Sequence, residues 1–157
     1  MNKLKKSAVT LGAAALAIAG TTLSATPASA ADTGTCYTSK PCMYFFYNTS
    51  FKGAYFIAAS NISNLGDFNF NYGTTGKGKS VKNNAASAKF RANNSSQPTS
   101  GAIFANSGYA GPCDLFGSLE NHWATASKLA KTYNNNASVR FYPKVLEQLP
   151  SGCKRWN

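Results

Sequence analysis

The chain has one histidine, His122, and five carboxylates, Asp32, Asp67, Asp114, Glu120 and Glu147. That is a thin supply for acid–base or metal-assisted catalysis, which needs several titratable groups converging on one point. Glu120-Asn121-His122 sets an acid two residues from a base. The spacing fits no metallopeptidase helix motif, and there is no second histidine to complete a ligand set. His122 is therefore expected in a partly exposed loop. No serine occupies a Gly-x-Ser-x-Gly elbow. Gly73-Thr74-Thr75-Gly76-Lys77-Gly78-Lys79-Ser80 has the flavour of a phosphate-cradling loop, but its glycine and lysine positions do not match one. The residues read as those of a binding protein with no catalytic residues, not an enzyme.

Cysteine chemistry points to staples. Cys36, Cys42, Cys113 and Cys153 all lie in the second part of an export-type sequence, where an oxidising compartment favours two disulfides among three connectivities. The short Cys36 to Cys42 separation suits a local clip, which leaves Cys113 to close a loop of about forty residues with Cys153 and tie down the C-terminal region. No two cysteines have the close spacing of a zinc site.

The elements that hold these residues begin with a leader. Met1-Asn2-Lys3-Leu4-Lys5-Lys6 is basic, residues 8–19 are apolar but short, and Ala28-Ser29-Ala30 offers small side chains to a signal peptidase. Residues 1–30 are expected to be a signal peptide and residues 31–157 a single secreted, extracellular domain, with no membrane segment after cleavage and monomeric. Three of the sixteen Lys/Arg residues and none of the five acids fall in the leader. The remaining thirteen cations against five acids give +8. This excess is scattered, as on an ordinary soluble cationic surface; read functionally, it suits attraction to anionic wall polymers or an acidic protein face. Nucleic acid is not expected as a partner, because no nucleic-acid-binding motif is present.

Beyond the leader, aromatic and β-branched residues alternate with small polar ones and turn clusters recur, an all-β pattern. Strands are expected at residues 43–47, 54–57, 101–104 and 138–142, with one helical turn or two near residues 123–130. Asn-, Ser- and Gly-rich loops are expected at 60–66, 72–78, 92–100 and 106–111.

An internal repeat fixes the architecture. Phe46-x4-Phe51-x-Gly53 is matched by Phe104-x4-Tyr109-x-Gly111, and Asn83-Asn84-Ala85-Ala86-Ser87-Ala88-Lys89-Phe90 by Asn134-Asn135-Asn136-Ala137-Ser138-Val139-Arg140-Phe141. The first piece has the makings of a folded-over hairpin, its glycine at a bend covered by two rings.

At these residues the chain resembles a βγ-crystallin-type domain, and with its leader and Cys-x5-Cys clip it is similar to the Streptomyces-type metalloproteinase inhibitor family of peptidase inhibitors. The resemblance implies a Greek-key sandwich of two motifs, about residues 36–90 and 91–157. It also implies a calcium box in each motif, falling on Asn83, Asn84 and Ser87, and on Asn134, Asn135 and Ser138. The closing serine of each box is replaced, by Ala88 and Val139, and every donor is neutral, so any calcium binding is expected to be weak. Asn and Ser here are expected to bond the turn backbone instead. No other cofactor is expected.

The implied function is inhibition of a secreted protease, a metalloprotease by the family's pattern. A loop or strand edge would block the cleft, with residues 72–82 and 93–100 as candidate contacts. The alternative is a cationic cell-wall-binding or antimicrobial, killer-toxin-like protein, suggested by the charge and by Tyr72 and Trp156 as exposed aromatics.

Overall fold

The computed structural model describes residues 34–36, 40–92, 99–118, 122–144 and 146–157. The expected leader, residues 93–98, Glu120 and Asp32 lie outside them. Two four-stranded antiparallel-rich sheets face each other across one core. Sheet A has the order β2-β1-β3-β6 and sheet B the order β7-β4-β5-β8. The strands are β1 (Cys42–Phe46), β2 (Tyr55–Ala58), β3 (Ser87–Arg91), β4 (Thr99–Asn106), β5 (Ala110–Ser118), β6 (Trp123–Ala126), β7 (Ser138–Tyr142) and β8 (Cys153–Trp156).

Alternation along the strands builds the core. Met43 and Phe45 point inward from β1, Phe56 from β2, Phe90 from β3, Ile103 from β4, Phe116 from β5 and Val139 from β7. Each such side chain contributes about 1.5–3 kcal/mol on burial.

The two halves of the repeat interlock. β6, from the second half, pairs with β3 of the first. In return, Ile62 of the first half bridges Val139 on β7, with N–H to O distances of 2.9 Å in both directions. The sheets are therefore two interlocked Greek-key motifs, as the resemblance implied.

Three sequence expectations need correcting. Residues 123–126 form strand β6 and not a helix: Trp123 and Thr125 face out while Ala124 and Ala126 are buried, a period of two that the small alanines obscured. The helix present among the described residues is a single 3-10 turn, Leu65–Asp67. Thr99 and Ser100 are buried in β4, so they belong to no exposed contact loop.

The disulfides join Cys36 to Cys42 and Cys113 to Cys153. The second crosses the parallel β5–β8 pair at the Cys113–Cys153 register position. β8 is held further by the Trp156 indole N–H, which donates to Asp114 at 2.8 Å. Trp156 is therefore half-buried against the core, not the exposed aromatic that the sequence suggested.

Candidate functional site

The residues of the two boxes serve the fold. Ser87 donates its hydroxyl to the Asn48 carbonyl at 2.6 Å and accepts the Phe51 N–H at 3.1 Å. Ser138 does the same for the second hairpin, donating to Asn106 at 2.7 Å and accepting from Tyr109 at 3.0 Å. Those hairpins are matched in detail. Phe46 meets Phe51 edge-on at 5.7 Å and Phe104 meets Tyr109 edge-on at 6.4 Å. Gly53 and Gly111 have φ of 79° and 80°, a conformation that penalises any side chain.

The asparagines tie one loop to the other. Asn83 N–H donates to Asn136 O at 2.7 Å and Asn134 N–H to Ala85 O at 2.9 Å, so the loops pair across the pseudo-twofold. The fully buried Asn136 amide adds a second link, accepting from Ala85 N–H at 2.9 Å and donating to Val81 O at 2.7 Å. Asn84 Nδ2 donates to Lys82 O, and Asn135 N–H to Thr132 O. A shallow polar depression of about 300 Å³ lies between Asn48, Asn84 and Asn134. Ser87 and Ser138 do not line it, and every side chain that does is neutral.

The acidic and basic groups are dispersed. Among the described residues no three of His, Cys, Asp and Glu gather as a metal centre. Asp114 is fully buried and accepts the N–H groups of Ala130, Lys131 and Thr132, the Thr132 hydroxyl and the Trp156 indole. Every carboxylate bond is made inside the fold, as a buried charge requires. His122 is exposed in a loop before β6.

Two surfaces remain that could recognise something. The first is the loop over residues 72–82, which is exposed from Tyr72 to Thr75 and at Lys77, Gly78 and Lys79 but buried at Val81. Ala54 N–H donates to Thr75 O at 2.7 Å, Gly78 N–H to Phe70 O at 2.9 Å, and Lys79 N–H to Gly76 O at 3.1 Å. Gly76, at φ 90°, lies so close to the Tyr47 ring that a Cβ there would stand 2.2 Å from its Cγ. The loop is thus exposed and locked at once.

The second is the outer face of sheet A. Tyr44 and Phe46 project outward from β1, Tyr55 from β2, Lys89 and Arg91 from β3, and Trp123 from β6. Tyr72 stacks on Tyr55 at 5.0 Å, Tyr55 meets Tyr44 at 6.1 Å, and Tyr44 meets Trp123 edge-on at 5.5 Å. Lys89 lies 4.3 Å from the Phe51 ring centre and Arg91 5.9 Å from that of Trp123. Trp123 is 44% exposed and Tyr72 39%. Burial lifts the Tyr44 hydroxyl above the ordinary phenol range, against a smaller opposing effect of Arg91. The hydroxyl therefore stays neutral, able to donate and to accept.

No family model matches the chain. No curated protein matches it either. Among solved structures, it is similar to one described as "Evolution of the eye lens beta-gamma-crystallin domain fold", at 12% identity and a TM-score of 0.47, covering 71% of this chain and 96% of that one. The Greek-key assignment rests on the strand register described above.

Sequence reasoning found the loop but missed the aromatic face. Tyr44 and Phe46 at i and i+2 were a visible signal. Their neighbours Lys89 and Trp123 come from strands 45 and 79 residues further on from Tyr44, and only the sheet order puts them side by side.

Proposed function

We propose that the protein is an exported, non-catalytic inhibitor of a secreted peptidase of the metallopeptidase class, freed from its leader by cleavage after Ala30. What supports this reading is the loop over residues 72–82, exposed at its tip yet fixed by backbone hydrogen bonds and by the contact of Gly76 with Tyr47. A segment already held in one conformation loses little ordering entropy when it enters a cleft. It also resists the bound peptidase, because cleavage requires the backbone to adapt.

Residues 31–157 added in micromolar excess to a thermolysin-like metallopeptidase are expected to suppress its activity, and undiminished activity removes this reading. Gly76→Ala, which forces Tyr47 aside, is expected to weaken inhibition while the protein still melts cooperatively. The second reading, attachment to an anionic wall polymer, is favoured by the outer face of sheet A.

A further inference from the structure

The two sheets treat their outer faces differently. On sheet B the outward side chains Ala102, Phe104 and Leu115 are buried, and Leu146 and Cys153 pack over them. Arg155 holds that cover in place by donating to the carbonyls of Leu146 and Glu147. On sheet A, among the described residues, only the end near the Cys36–Cys42 disulfide is covered in this way, over Ile57 and Ala59. The remainder carries half-exposed rings and opens at Tyr44, Phe46, Lys89, Trp123 and Thr125 into an apolar hollow of about 550 Å³.

A row of rings left half-exposed on a rigid sheet is unusual for a surface without a partner. Among the described residues the charge on this face is of one sign. Lys89 and Arg91 stand on it, and no Asp or Glu side chain of the described strands of sheet A faces outward there. The described carboxylates lie elsewhere: Asp67 in the 3-10 turn, Asp114 inside the fold, and Glu147 beside β8. From Trp123 on β6 to Tyr55 on β2 the row spans four strands, about 14 Å at ordinary strand spacing. Such a shape suits an extended chain, not a compact small molecule.

We propose that the outer face of sheet A is a docking surface for an acidic polysaccharide. Sugar rings, whose C–H faces pack on aromatic side chains, lie across Tyr55, Tyr44 and Trp123. Their carboxylates meet Lys89 and Arg91, and the tyrosine hydroxyls and Thr125 bond the sugar hydroxyls. Both disulfides favour an oxidising compartment, where such polymers are found and free nucleic acid is not the ordinary partner. Aromatic and cationic side chains together also suit single-stranded nucleic acid, so the test includes it. This site adjoins the 72–82 loop through Tyr72, which stacks on Tyr55, but the inference does not depend on peptidase inhibition.

The test uses residues 31–157 with polygalacturonate, its neutral methyl ester and a single-stranded DNA oligonucleotide, read by affinity electrophoresis over a salt series. The protein is expected to bind polygalacturonate, more weakly as salt rises, and to bind the methyl ester far less. Trp123→Ala is expected to cut affinity by at least about tenfold, with Trp123→Phe restoring most of it. Lys89→Gln with Arg91→Gln is expected to cut it similarly and to flatten the salt dependence, whereas Arg140→Gln with Lys154→Gln on sheet B is expected to leave it near wild type. Thermal melts establish that each variant is folded. Absence of polygalacturonate binding overturns the proposal. So does an equal loss in the sheet B pair, which would make the attraction one of net charge alone, or tighter binding of the oligonucleotide through the same residues.

Discussion

Ser87 and Ser138 each accept one N–H and donate to one carbonyl of their own motif's hairpin. Removing such a hydroxyl takes away the partner of a part-buried donor and a carbonyl, at about 1 kcal/mol for each bond lost. Ser138→Ala is expected to destabilise the protein by about 2 kcal/mol or more in urea unfolding, with Ser87→Ala close behind because the geometry is repeated. Tyr44 gives a pH dependence. Burial holds its hydroxyl above the ordinary phenol range in the folded state, so as pH rises past about 10 the unfolded chain releases its proton first and stability falls until the folded group follows. Tyr44→Phe is expected to lose less stability than wild type between about pH 9 and pH 11, measured by denaturant unfolding. At this scale the sequence indicated that the serines would bond the turn backbone, as Ser87 and Ser138 do, but not which turns they would join, because Asn48, Phe51, Asn106 and Tyr109 lie about 30 to 40 residues away along the chain.

Among the elements, β8 is the most heavily secured. It pairs in parallel with β5, carries one end of the Cys113–Cys153 link and lodges Trp156 on Asp114. Closing a loop of 40 residues is worth on the order of 3–4 kcal/mol in the chain-entropy model. Cys113→Ser with Cys153→Ser is expected to lower stability by about that amount, and a melt showing no decrease would mean that the indole and the ladder suffice to hold the strand. Strands with aromatic alternation, β1, β2 and β7, were legible to within a residue or two. β5 was not, because Gly111 and Pro112 suppress the strand signal; the fold tolerates them where the register shifts between Phe104 and Asn106, a bulge being one place a strand accepts proline. β6 was misread because Trp-Ala-Thr-Ala satisfies helical propensity as easily as a period of two.

Taken whole, the molecule is a pair of similar halves locked face to face, and the repeat alone made that much readable. What could not be read was lateral order. The aromatic face depends on β1 lying between β2 and β3 with β6 beyond, a non-local arrangement that no spacing along the chain records. Because β6 belongs to the ladder of β3 and Ile62 bridges β7, the first half lacks the edge strand of its own sheet, which the second half lends it, and gives back a single bridge in return. Residues 31–92 and 93–157 made as separate polypeptides are expected to be unfolded alone and to recover the native circular dichroism when mixed. A folded half alone would contradict that. The interleaving thus makes the protein a two-piece assembly: either half can be labelled or altered separately, and mixing would restore the outer face of sheet A and the 72–82 loop in the same event.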